Sequence, residues 1–153
     1  MEMSLLMFLL IPLAVLVLGA LLTALAFGAS YLLFKRLGKM SGIDKLTERY
    51  PAAQSPPQGE IHKKQWLGVG PVFFKNTTDI CITPNGLYFW VRSFLSKYPP
   101  AIIPWGEFKE QSGALLAGRV AVRLVVGHPQ VGTIVVTQRL FEKMKPYLNL
   151  PGS

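Results

Sequence analysis

The chain has 153 residues, a formal net charge of +8 and a half-hydrophobic composition, and its single cysteine, Cys81, excludes an intramolecular disulfide framework. The basic balance is uneven: five basic residues against three acidic ones precede Glu60, and eleven against five follow from it onward. Such a balance suits an anionic surface, either membrane or nucleic acid.

Thirty residues from Leu5 to Phe34 pass without a charge. About twenty apolar residues at ~1.5 Å rise cross a ~30 Å hydrocarbon core, so residues 5–34 are predicted to form a transmembrane helix with room to tilt. With an anchor present, a membrane surface is always within reach and nucleic acid is not. A cleaved signal peptide fits less well, although Ala24-Leu25-Ala26 looks like a cleavage site. The leading segment holds Glu2 and no Lys or Arg, and the apolar run continues through Tyr31-Leu32-Leu33-Phe34. Lys35, Arg36 and Lys39 follow the run, with Lys45 and Arg49 beyond, and nothing basic precedes it. An excess of Lys and Arg marks the cytoplasmic side, which predicts an outward N-terminus and a cytoplasmic C-terminal domain. Within the run, Ala20, Ala24 and Gly28 recur every four residues, a stripe along which a second membrane helix packs closely.

Residues 35–59 read as a juxtamembrane amphipathic helix and a Pro-rich linker. Ser41 to Tyr50 carries Ile43, Leu46 and Tyr50 at helical spacing, with Ser41 and Asp44 resembling a capping box and Pro51 ending the helix. Its apolar side predicts contact either with headgroups or with the following domain. Ala52 to Gly59, with Pro56 and Pro57, predicts an extended linker, which puts a domain boundary near Glu60.

From Ile61 the hydrophobic period is two. Val72–Lys75 predicts a strand ended by a polar turn at Asn76–Asp79; Asn76-Thr77-Thr78 also matches a glycosylation sequon, which a cytoplasmic domain does not use. Ile80–Thr83 and Leu87–Val91 flank Pro84-Asn85-Gly86, where Asn-Gly predicts a hairpin turn with positive φ. Leu87, Phe89 and Val91 point opposite to Tyr88 and Trp90, so this strand is apolar on both faces and needs a second cover, either a loop or helix of the chain or a partner protein. Ala101–Trp105 predicts a strand with Trp105 and Phe89 in the core, and Gly113 and Gly118 bracket a loop. Residues 120–126 predict a strand buried mainly on one face, His128-Pro129-Gln130 turns the chain, and residues 131–136 return beside it. Thr137 then caps a helix with Leu140, Phe141, Met144 and Leu148 on one face, frayed by Pro146.

Six or seven short strands followed by one amphipathic helix describe an open barrel with a helix across one end. Ile80–Val91 with its Asn-Gly-Leu-Tyr hairpin, Ile102-Ile103-Pro104-Trp105 and the terminal strand-to-helix passage resemble the pleckstrin-homology-like superfold, in particular its bacterial PH-like and GRAM-like modules. Residues Ser41–Pro51 resemble a segment of small bacterial single-pass membrane proteins. The resemblance implies an N-terminal transmembrane helix, a PH-like β-barrel over residues 60–150 and residence in the cell's inner membrane. It carries no activity with it.

Catalytic chemistry needs converging groups. His62 and His128 lie in separate segments, Cys81 falls within a strand, and Gly68-x-Gly70 lacks the third glycine and helix of a phosphate loop. Glu107 and Glu110 read as solvated carboxylates. No cofactor, metal or catalytic residue is expected. Arg92, Phe94, Leu95, Lys97 and Tyr98, between two strands, combine long cations with aromatic and aliphatic side chains suited to a bilayer interface. Together with Lys35, Arg36 and Lys39 they are the candidate contacts for anionic lipid headgroups or a protein partner. The expected function is a non-enzymatic, membrane-anchored binding or scaffold module; the alternative is an accessory or assembly subunit of a larger membrane complex, packed through Ala20, Ala24 and Gly28.

Overall fold

The computed structural model describes residues 2–92 and 98–150. The chain forms two compact units, Met1–Lys35 and Arg36–Ser153.

The first unit is the apolar part of one helix, α1 (Glu2–Ser41). Its stretch Leu10–Leu33 is long and apolar enough to cross a membrane. The two aliphatic hydroxyls of this stretch are bonded locally: Thr23 Oγ1 donates to the Gly19 carbonyl at 2.7 Å and Ser30 Oγ to that of Ala26 at 2.8 Å. Bonding back to the i−4 carbonyl keeps a hydroxyl satisfied where no water reaches it.

The second unit is a seven-stranded, wholly antiparallel sheet in the order β4-β3-β2-β1-β7-β6-β5, curled into a half-barrel with one short helix following the last strand. The strands are β1 (Glu60–Val69), β2 (Val72–Thr83), β3 (Gly86–Val91), β4 (Ala101–Pro104), β5 (Phe108–Leu116), β6 (Arg119–Val126) and β7 (Gly132–Thr137); α2 (Ile43–Arg49) precedes them and α3 (Gln138–Met144) follows. Each hairpin buries alternate side chains on the concave side. Leu67, Val69, Ile80, Leu87, Phe89, Leu124, Ile134 and Val136 form the core together with Leu140, Phe141 and Met144 of α3. Thr137 caps α3 as its sequence predicts, its side chain accepting from the Leu140 amide at 3.4 Å, and Pro146 sits in the 3-10 turn Lys145–Tyr147 that ends the helix.

Several local expectations are corrected. Asn76–Asp79 does not end a strand. β2 runs through it, and the bend is made by positive φ at Lys64 (54°) and Asn76 (54°), where the β1–β2 register shifts. Asp79 Oδ1 accepts from the Lys64 amide at 3.2 Å and Asn76 Oδ1 from Trp66 Nε1, so the polar run serves the bulge. The β2–β3 hairpin is present, but its turn is Pro84-Asn85 and neither Asn85 nor Gly86 has positive φ. Thr83 Oγ1 accepts from the Asn85 and Gly86 amides at 3.2 and 3.0 Å. Gly86 is required for a different reason: a Cβ there would meet the Ile103 carbonyl oxygen at 2.4 Å. Gly113 belongs to β5 rather than to a loop. The turn is Ala117-Gly118, with φ of 49° and 78°.

Ser41 does not cap a separate helix; α1 continues through it, and Gly42, with φ 73°, starts α2 without a side-chain cap. Of the two surfaces open to the amphipathic segment, α2 takes the domain. Ile43 and Leu46 are fully buried in the main core, and Leu46 lies over Gly132, whose missing Cβ leaves it room. The Pro-rich stretch is extended as expected, but it is not free. Ile102 donates its amide to the Tyr50 carbonyl at 3.0 Å and Ala52 donates to Pro100 at 3.1 Å, which pairs this segment with β4. The Tyr88 hydroxyl reaches the Ala53 and Gln54 carbonyls at 3.4 and 3.3 Å, and Cys81 Sγ reaches Pro57 at 3.4 Å. The chain before Glu60 is thus the second cover that the two-faced apolar strand demands.

Candidate functional site

The predicted surface residues separate into three groups. Lys35, Arg36 and Lys39 are exposed on the last turns of α1, where cations also meet the negative end of the helix dipole. Ala20, Ala24 and Gly28 lie on one exposed face of α1, and a Cβ at Gly28 would meet nothing within 4 Å. In the third group, Phe94, Leu95 and Lys97 lie outside the described residues, and the two ends of that segment are held by the sheet. The Arg92 amide donates to Thr77 at 2.6 Å, its Nε lies 3.0 Å from Asp79 Oδ2, and its guanidinium stands 4.5 Å from the Trp90 ring centroid. Tyr98 is half-buried, its ring edge-on to Phe74 at 6.1 Å. Both side chains therefore contribute to packing, although Arg92 still exposes 58% of its side chain.

The candidate chemical groups are separate or structural. Cys81 is buried, and desolvation pushes its thiol above the usual range. Glu107 Oε2 accepts from the Tyr50 hydroxyl at 2.8 Å; burial first, then this bond, raises the Tyr50 pKa and keeps the phenol protonated. Glu60 lies 3.2 Å from His62 Nε2 and accepts a hydrogen bond from Lys143, tying the start of β1 to α3. Among the described residues no cluster of three His, Cys, Asp or Glu side chains could hold a metal ion.

A further surface lies on the convex side of the sheet and at the β5–β6 tip. Trp66 packs beside Leu116, Ala121 and Val135, and Gly68 makes the space: a Cβ there would stand 2.9 Å from Val135 Cβ. Phe73 meets the Trp66 ring edge-on at 5.4 Å. The Arg119 guanidinium lies 4.1 Å from the Trp66 centroid and Lys75 Nζ 5.4 Å from it. Beside Arg119, the cross-strand pair Leu115 and Val120 is 74% and 68% exposed, the most open aliphatic pair among the described residues of the β-unit. Charge along residues 111–141 has one sign. From Gln111 to Phe141 there is no acidic residue, while Arg119, Arg123 and Arg139 are all exposed. That acid-free run, with an apolar Leu115-Leu116-Ala117-Gly118 tip inside it, is legible in the sequence once residues 108–116 are seen as a strand rather than as the approach to a loop.

Comparison of the chain with protein-family models and with curated proteins gives no match.

Proposed function

We propose that the protein is a non-enzymatic, membrane-anchored binding module whose β-unit is PH-like and contacts anionic lipid headgroups at the cytoplasmic face of the inner membrane. The supporting observation is the shortness of the connection. Nine residues, 34–42, separate Leu33 at the end of the candidate span from Ile43, the first buried residue described in the β-unit. Fully extended at ~3.3–3.6 Å per residue, nine residues reach about 30 Å. A chain anchored through Leu10–Leu33 therefore keeps its β-unit within reach of the bilayer, through a connection shorter than the helix and extended linker expected over residues 35–59. Tethering of this kind gives effective concentrations up to the millimolar range. Each Lys or Arg near an anionic leaflet contributes about 1 kcal/mol, so a few contacts suffice. Lys35, Arg36 and Lys39 supply them next to the span, and Arg92, Phe94, Leu95, Lys97 and Tyr98 are candidates on the β-unit. The strand order and the helix following β7 accord with the PH-like resemblance.

A second reading, an accessory subunit of a membrane complex, draws on the open face of α1 at Ala20, Ala24 and Gly28. One preparation tests both. The full chain with a tag after Ser153 is expected to resist alkaline carbonate extraction, and the tag to resist protease added to spheroplasts. A tag digested from outside overturns the orientation, and a product shortened by its first ~26 residues, within the usual signal-peptide length, overturns the anchor. A membrane protein recovered in fixed ratio after mild detergent extraction favours the accessory subunit.

A further inference from the structure

The β5–β6 hairpin ends in a way that water-facing hairpins avoid. Two-residue turns with positive φ at both positions favour Asn-Gly or Asp-Gly, because Asn and Asp tolerate the left-handed conformation and bond their own backbone. Here Ala117 takes that conformation at φ 49° with no polar side chain, next to Gly118 at 78°. Leu115 and Val120 flank the turn on the face that, further down the strands, carries the buried Val122 and Leu124. The last β6–β7 register pair is Ala121 with Thr137. The open part of the tip is therefore Leu115 and Ala117–Val120, since Leu116 turns the other way and is buried beside Ala121 of β6 and Val135 of β7. The only charge at the tip is Arg119, directed back over Trp66 on the opposite face, where Lys75 also stands.

We propose that this tip is a membrane wedge: Leu115 and Val120 enter the interfacial region of an anionic bilayer, with Arg119, Lys75 and Arg123 at phosphate level and Trp66 at the boundary. The inference rests on the lipid-contact reading above and names its surface. Charge complementarity selects the occupant, since three arginines and no acid between Gln111 and Phe141 oppose an acidic leaflet. Size selects it again. Two aliphatic side chains on one narrow hairpin fall far short of the ~800 Å² per partner that a stable protein interface buries, whereas a bilayer admits apolar groups without complementary shape. Interfacial Trp and phosphate-level Arg are the side chains that such a boundary favours.

The test uses the full chain in lipid nanodiscs, in a Cys81→Ala background with its melting temperature checked. An environment-sensitive label is placed at Leu115→Cys, Val120→Cys, Arg92→Cys or Gln130→Cys, the last in the turn at the far end of β6. Quenching by nitroxide lipids at positions 115 and 120 is expected to be at least about twofold greater with phosphatidylglycerol than with phosphatidylcholine alone, and to fall with added salt. Lys75→Gln combined with Arg123→Gln, both at exposed sites, should reduce it. Equal quenching in both lipids overturns the anionic wedge. Quenching confined to position 92 or 130 overturns the wedge but leaves lipid contact standing through another face. No quenching at any of the four overturns both. Crosslinking of the tip to a protein in native membranes, with no quenching in pure lipid, also overturns the wedge.

Discussion

Trp105 illustrates how a side chain can be apolar, necessary and yet not central. Its ring leaves the strand at the 3-10 turn Trp105–Glu107 and is half-buried, against the full burial expected of it, while Phe89 is buried as expected. The indole stacks on Tyr147 with centroids 5.1 Å apart and donates from Nε1 to the Thr83 carbonyl at 2.8 Å. Trp105→Ala should therefore cost about 2 kcal/mol, below the ~3–5 kcal/mol of a fully enclosed aromatic; chemical denaturation of the purified chain measures the difference. Glu60 gives a pH signature. The hydrogen bond from Lys143 holds its carboxyl below the ordinary carboxylate range. A folded value below the unfolded one makes this contribution complete above the unfolded pKa, about 4.3, and lost as pH falls through the folded one. Melting temperatures followed from neutral pH to about pH 3 should show a shallower acid decline in Glu60→Gln than in the parent chain. The carboxyl is solvent-exposed, so the effect is a small change of slope.

At the level of elements, the decisive assembly is α2 with the extended segment behind it. A seven-residue helix is too short to persist alone in water, so its formation depends on Ile43 and Leu46 entering the core and on the Tyr50–Glu107 hydrogen bond. Leu46→Ala should destabilise the whole β-unit by about 2–5 kcal/mol, as a core truncation does. A free juxtamembrane helix would leave the denaturation midpoint unchanged. The same segment solves an edge problem. β4 ends the sheet, and the pairing of Pro51 with Ala101 covers part of its unpaired backbone. β5, the other edge, is interrupted by the register shift at Phe108–Glu110 and by Gly113, and it carries Lys109 and Glu110; these features discourage pairing with another chain.

For the molecule as a whole, docking of residues 43–57 onto the β-unit leaves nine residues, 34–42, between the apolar stretch Leu10–Leu33 and the first buried residue described in that unit. A long flexible tether would let any face of the module sample the bilayer. On the proposed anchoring, a connection of about nine residues raises the local concentration of the module at the bilayer. The protease test of orientation and the carbonate test of anchoring bear directly on this point, because the proposed lipid contact requires both.

The apolar run to Phe34, the β-rich unit with its hairpin at Pro84–Gly86, the strand over residues 120–126 and the Thr137-capped helix were all readable from the sequence. Each rests on a local rule: unbroken hydrophobicity, alternation with period two, a turn dipeptide, or a cap beside a 3.6-residue stripe. Four features required the tertiary structure. The Asn76–Asp79 run looks like a turn locally, and only pairing with β1 turns it into a bulge. Gly113 looks like a loop residue until β6 supplies Val122 opposite it. Trp105 is placed by the ring of Tyr147, forty-two positions away in the chain. The Pro-rich stretch looks like a linker because prolines disfavour regular structure, yet its carbonyls are free to accept, and Tyr88 and Cys81 reach them from strands that come later. Periodicity reports how a residue relates to its near neighbours; long-range partners determine which of two locally equivalent surfaces is covered.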